Sequence, residues 1–157
     1  MPLHLRNFTT LTPTESAMVL RWRNTEKVRS FMYNDTPISA EEHTAFLASL
    51  HHREDKRYFL VFRDDEPLGV VDLTHIDEDS AIIGLYASPE QEEHGIGSLL
   101  MQCLMSYGFE QLHLKRLYAE VFADNRSAKR LYEKFGFCEK ERKSVNEKEV
   151  IGMELHA

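Results

Sequence analysis

Apolar residues recur along this chain with two different periods, and the switches between them lay out the elements. A weakly alternating strand is predicted from Leu3 to Thr9, after which Thr12-Pro13-Thr14-Glu15 supplies an N-cap, a proline at the first helical position and a capping-box glutamate. A helix follows from about Pro13 to Arg23. Asn24 to Pro37 has no dominant period, and Ser39-Ala40-Glu41-Glu42 then repeats the cap ahead of His43, Phe46, Leu47 and Leu50 at helical spacing. That second helix is expected to end near Arg53. Arg57 to Arg63, Leu68 to Ile76 and Ala81 to Ser88 are rich in branched and aromatic residues and are separated by acidic turns, which predicts three antiparallel strands joined by hairpins. From Gly95 the helical period returns, with Leu99, Leu100, Cys103, Leu104 and Tyr107 on one face to about His113. A strand at Arg116 to Ala123, a helix from Asn125 to Phe135 stopped by Gly136, and strands at Phe137 to Val145 and Glu149 to His156 complete the chain. The order predicts an α+β fold: a mixed, mostly antiparallel twisted sheet of about seven strands flanked by about four helices.

With 157 residues and no linker or repeat, residues 1–157 are expected to form a single domain. The net charge of −7 argues against a general nucleic-acid or anionic-membrane binder, so the expected partner is a small molecule or a protein. Cys103 and Cys138 are far apart and the eight histidines show no ligand spacing, so no disulfide framework and no metal are expected. No apolar run approaches the roughly 20 residues that span a bilayer. A cytoplasmic protein is the expectation.

Two segments carry candidate chemistry. Pro89 to Ser98 links a strand to a helix through Gly95 and Gly97, a turn whose backbone approaches a ligand closely and whose unpaired first-turn N–H groups favour an anion. A tight turn without a ligand fits the two glycines equally well, and neither a P-loop nor a dinucleotide fingerprint is present. The second segment, Asp124 to Phe137, sets Tyr132 on an apolar stripe, by default a core position, and Asn125 at an N-cap. From Arg126 to Lys143 there are seven basic and three acidic residues, which suits an anionic ligand or a solvated face. In the strand before this helix, Glu120 lies between Tyr118 and Phe122 on one face. Partial desolvation there raises its pKa toward that of a useful base, whereas a surface ion pair is the plainer alternative.

The spacing N-x-x-A-x-x-x-Y-x-x-x-G-F from Asn125 to Phe137, about thirty residues after His94-Gly95-Ile96-Gly97-Ser98, resembles the two core motifs of the GCN5-related N-acetyltransferases. The resemblance implies that acetyl-CoA is held by Leu85, Tyr86, Ala87, His94, Gly95, Ile96, Gly97, Ser98, Asn125 and Lys129, within a core at 81–137. It also implies that Tyr132 is the general acid and Glu120 the base. The family prefers Gln or Arg where this chain has Glu92, beside Glu90 and Glu93, so these three side chains are expected to point to solvent.

Within 1–56, a narrower resemblance to acetyltransferases of a nucleotide-linked 4-amino sugar, in the pseudaminic acid pathway of flagellin glycosylation, implies that Arg23, Met32, Tyr33, His43 and Phe46, with Tyr86, line a UDP-sugar site. The Trp-Arg-Asn sequence at Trp22 to Asn24 is also similar to acetyltransferases of protein N-termini. A polyamine acceptor and a non-catalytic CoA sensor are further alternatives. Either a monomer or a homodimer is compatible with the sequence.

Overall fold

The computed structural model describes residues 2–157. β1 (Leu3–Asn7) runs into a 3-10 turn and then α1 (Pro13–Arg23), whose N-terminus is closed by Thr12 and Glu15 with both halves of the capping box formed. The aperiodic stretch holds a further helix, α2 (Glu26–Arg29), capped by the Thr25 side chain. A four-residue helix shows no stripe, which is why periodicity alone passes over it. α3 (Ala40–Leu50) has its own capping box from Ser39 and Glu42. Strands β2 (Arg57–Arg63), β3 (Glu66–Thr74) and β4 (Ser80–Ala87) follow, then α4 (Ile96–Met105), which widens into a π-type turn at Ser106–Gln111. The wide turn presses Gly108 onto the sheet, where a Cβ would stand 3.0 Å from Leu117. β5 (Arg116–Phe122), α5 (Arg126–Lys134), β6 (Cys138–Val145) and β7 (Lys148–His156) end the chain.

The seven strands form one sheet in the order β1-β2-β3-β4-β5-β7-β6, antiparallel throughout except for the parallel pair β4 and β5. Alternation along each strand divides its side chains between two apolar clusters. On one face Val71, Leu73, Ile83, Leu117, Ala119 and Met153 pack with Leu100, Met101 and Leu104 of α4 and with Tyr132 of α5. On the other, Leu60 and Val70 pack with Phe8, Val19, Trp22 and Leu50 beneath α1 and α3. The charged side chains of β6 line the open edge of the sheet, a composition that discourages pairing with another chain.

β4 and β5 pair only from Ser80↔Arg116 to Ile83↔Ala119. Beyond that point β4 stays with β3 as far as Ala87, and β5 stays with β7 as far as Phe122. The two strands therefore part in the middle of the sheet, between Gly84–Ala87 on one side and Glu120–Phe122 on the other. The backbone edges facing this gap are free to pair with a bound molecule.

Candidate active site

The loop after β4 leads straight from this parting to the N-terminus of α4. Gly95 is the N-cap, with φ 90 and ψ 0, and no side chain caps the helix. A Cβ at Gly95 would meet nothing within 4 Å, so the space in front of the first-turn N–H groups is open. Gly97 does a different job: a Cβ there would lie 3.2 Å from Leu131, so this glycine lets α5 pack closely against α4. The Lys134 ammonium donates to the Ser98 hydroxyl at 2.9 Å, bringing a cation beside the first turn of α4. The sequence pattern offered no sign of Lys134 in this place, because the contact joins two helices.

The acidic loop residues do not simply point to solvent. Glu90 accepts from the Arg21 guanidinium and from the indole Nε1–H of Trp22, both at 2.7 Å, and these contacts hold its carboxyl below the usual range. Glu93 pairs with Arg63, which also holds Glu66. Two of the three carboxylates are thus paired with neighbouring cations. Their arrangement leaves that space suited to a diphosphate, with Lys134 close by.

Asn125 caps α5 by accepting from the Ala128 N–H at 3.2 Å. Tyr132 is buried, its ring 5.3 Å from that of Phe137. Burial, with a further contribution from the Asp72 carboxylate, pushes its hydroxyl well above the ordinary tyrosine range, so it holds its proton at any working pH. Cys103, half-buried on α4, is pushed up by desolvation and is a poor nucleophile.

Glu120 sits beyond the last β4–β5 pair, on the face opposite the α4 cluster. It accepts from the Lys143 ammonium at 2.5 Å and from the Tyr33 hydroxyl at 2.6 Å, and the Tyr118 hydroxyl, whose shorter bond goes to Glu141, lies 3.5 Å away. Burial alone would raise its pKa, as the strand pattern suggests, but Lys143 and the two hydroxyls outweigh burial and the net shift is downward. This reverses the expectation of a raised Glu120. Lys143 lies on β6, outside the strand that carries the carboxylate, so periodicity in β5 gives no warning of it. Tyr33 is pushed up by burial and by its bond to Glu120, and its ring meets Phe122 edge-on at 5.6 Å.

The remaining residues singled out in 1–56, with Tyr86, divide into two groups. Arg23 donates through Nη2 to the Asn34 carbonyl at 2.7 Å, while among the described residues its buried Nη1 and the buried Nε of nearby Arg29 have no hydrogen-bond partner. Burial first, and then Arg29, lower the Arg23 pKa, while Tyr86 acts in the opposite sense. Tyr86 is thus beside the guanidinium, and Met32 and Tyr33 follow on the same connecting segment. His43 is buried, and its Nε2 engages the hydroxyl and carbonyl of Ser16 at 3.2 and 3.1 Å, tying α3 to α1. Phe46 stacks edge-on against Tyr58 at 5.0 Å in the second apolar cluster. These two anchor the helices that roof the face. Among the described residues, no group of three His, Cys, Asp or Glu side chains is arranged to hold a metal ion, and no helix is long and apolar enough to cross a membrane.

A parted parallel strand pair, a glycine-capped helix at its mouth and a buried tyrosine from the next helix have close counterparts in known proteins. The family described as "Acetyltransferase (GNAT) family" matches residues 17–137. The acetyltransferase PseH of Campylobacter jejuni strain 81-176 is 41% identical over 86% of this chain and 84% of its own length. A crystal structure of a C. jejuni N-acetyltransferase PseH in complex with acetyl coenzyme A superposes with a TM-score of 0.82 at 33% identity, covering 99% of both chains. A Vibrio cholerae spermidine N-acetyltransferase has the same fold, with a TM-score of 0.85 at 24% identity over 98% of this chain and 95% of that one. The chain belongs to the GNAT family of acetyltransferases.

Proposed function

We propose that this acetyltransferase moves the acetyl group of acetyl-CoA onto the 4-amino group of a UDP-linked 4-amino-4,6-dideoxy sugar, by direct attack within a ternary complex. Acetyl-CoA supplies the acetyl group as a thioester. Gly95, Ile96, Gly97 and Ser98 bind its pyrophosphate through backbone N–H groups, aided by His94, Asn125, Lys129 and Lys134, while Leu85, Tyr86 and Ala87 edge the parting that receives its pantetheine arm. Residues 81–137 are then the donor side and residues 1–56 the acceptor side of one domain. Glu120, ionised over the working range, draws in and orients the acceptor's ammonium. Tyr132 protonates the departing thiolate.

The observation that supports the acceptor class is the charge layout of the acceptor side. Arg23 and Arg29 are adjacent guanidiniums, each with a buried nitrogen that lacks a partner, and such groups call for an anion. Glu120 and Asp72 give the opposite charge near the parting of β4 and β5. A nucleotide-linked amino sugar carries both complements, a diphosphate and an ammonium. A polyamine carries cations alone and is repelled by the Arg23 end. Met32, Tyr33 and Tyr86 supply apolar and stacking surface for the uracil or the sugar methyl. The similarity to the Campylobacter enzymes supports placing the reaction in pseudaminic acid assembly, and a cytoplasmic location is part of this reading.

UDP binding tests this reading. Calorimetry is expected to show UDP binding to the acetyl-CoA-loaded protein, and Arg23→Gln is expected to weaken it by about tenfold or more, the worth of a charge-assisted contact to phosphate. Equal UDP affinity in wild type and Arg23→Gln would remove Arg23 from the site, and no UDP binding at all would count against a nucleotide sugar.

A further inference from the structure

Asp72 lies on β3 in the middle of the acceptor face, with its catalytic use still unassigned. One row across the sheet runs Tyr58 on β2, Asp72 on β3 and Gly84 on β4, and the row is taken up past the parting by Glu120 on β5 and Gly152 on β7. Gly84 is the first residue of β4 beyond its last pair with β5. Having no side chain, it leaves a trough into which Asp72 leans, with the carboxylate Oδ2 2.7 Å from where a Gly84 Cβ would stand. The carboxylate is therefore directed along the row toward the parting of the strands. The corresponding trough over Gly152 is closed by the Tyr118 hydroxyl, which donates to Glu141 at 2.6 Å.

The two carboxylates flanking the parting differ sharply in their surroundings. Glu120 is committed to Lys143, Tyr33 and Tyr118. For Asp72, burial pushes the carboxyl up to about 7, and Lys56 is the one group that pulls it back. The groups that feel its charge or act on it are Lys56 just before β2, Tyr58 of β2, Tyr86 of β4 and, from the other face, Tyr132 of α5, with Glu120 further along the row and Arg23 of α1 beside Tyr86. A carboxylate that makes no ion pair among the described residues and leans over Gly84 toward the parting is placed to meet a cation brought by a ligand.

The geometry points to Asp72 as the residue that receives the acceptor's ammonium at the parting and takes up its proton before attack, with Glu120 as the fixed charge that orients it. This rests on the acetyl-transfer reading but not on the identity of the sugar. An N–H bond of the ammonium breaks toward Asp72, and the freed lone pair forms the C–N bond to the thioester carbonyl. The C–S bond then breaks with its electron pair on sulfur, which takes the Tyr132 proton. Tyr132 is reprotonated from the new amide nitrogen, and Asp72 gives its proton to solvent, so one proton leaves per turnover.

The test is the pH dependence of kcat/KM for wild type, Asp72→Asn and Glu120→Gln, with acetyl-CoA and whichever amine wild type turns over fastest among the UDP-4-amino sugar, an N-terminal peptide and spermidine. Asp72→Asn is expected to lower kcat by about 100-fold or more, leave acetyl-CoA affinity within twofold, and move the acid limb from near pH 7 to the amine's own value. Glu120→Gln is expected to raise KM and keep that limb. An unchanged limb in Asp72→Asn overturns the assignment. Turnover with the peptide or spermidine alone would sink the sugar reading while the same limb still judges Asp72. Should Asp72→Asn fold poorly, or no amine be turned over, carboxyl 13C titration of the wild-type protein decides: a midpoint near 7 for Asp72 supports the role, and one below 5 overturns it.

Discussion

Tyr132→Phe is expected to lose about 100- to 1,000-fold in kcat while binding acetyl-CoA as wild type does, because only the proton donor is removed. The ring itself belongs to the apolar cluster and packs on Phe137, contacts that phenylalanine keeps, so little thermal stability is lost. Burial and Asp72 both favour the protonated hydroxyl. An acid whose folded pKa is raised keeps its proton up to that pKa, so the tyrosine contributes no loss of activity between pH 6 and 9. Thiol release under saturating substrates, with calorimetric binding of acetyl-CoA alongside, reads the effect. A variant with full turnover would remove Tyr132 from the chemistry and leave it as a core residue.

Gly95→Ala is expected to weaken acetyl-CoA binding by about tenfold or more. At φ 90 an L-residue is strained by roughly 1–2 kcal/mol, and relieving that strain turns the first-turn N–H groups away from the anion they face. Losing one charge-assisted hydrogen bond costs about 1.5–3 kcal/mol, which is tenfold or more in affinity. The methyl itself meets open space, so the core is undisturbed and the melting temperature falls by only a few degrees. Gly97→Ala makes the useful contrast, since its methyl would press on Leu131 and disturb the packing of α5 on α4 instead. Unaltered acetyl-CoA affinity in Gly95→Ala would mean that the glycine only shapes the turn.

Much of this was legible in the chain. Capping boxes at Thr12 and Ser39 mark both N-terminal helices, and the change of period at Arg57 marks β2, because local hydrogen bonding and burial on one face leave direct traces in sequence. The motifs single out Gly95, Asn125 and Tyr132, which lie at the N-cap of α4, at the N-cap of α5 and on the buried side of α5. What escaped depends on residues far apart in the chain. Glu120 looks like a carboxylate between aromatics until β6 brings Lys143 against it. Glu90 and Glu93 look free until Arg21, Trp22 and Arg63 are folded beside them. Asp72 reads as an ordinary polar position of a half-buried strand, since only the pairing with β4 shows that its neighbour is Gly84. The parting of β4 from β5 is likewise a matter of strand pairing, on which the pattern along either strand is silent.

These contacts also describe how the fold joins its two sides. Glu90 lies in the loop between β4 and α4, yet it is held by Arg21 and Trp22 of α1, so this loop and α1 share one fixed carboxylate. Tyr33 reaches from the segment after α2 to Glu120 on β5. Both links hold the N-terminal segment in register with the parting, and under the proposed function that register positions the attacking amine, where a misplacement of about 1 Å costs about 100-fold in rate.

Acetylation of a nucleotide-sugar amine is tested by thiol release from acetyl-CoA with a UDP-linked 4-amino-4,6-dideoxy sugar, an N-terminal peptide and spermidine compared under one set of conditions. The kcat/KM for the sugar is expected to be at least about 100-fold above that for either other amine, the discrimination that follows when the wrong acceptor leaves the Arg23 and Arg29 guanidiniums without an anion. Turnover of the peptide or of spermidine with none of the sugar would contradict it.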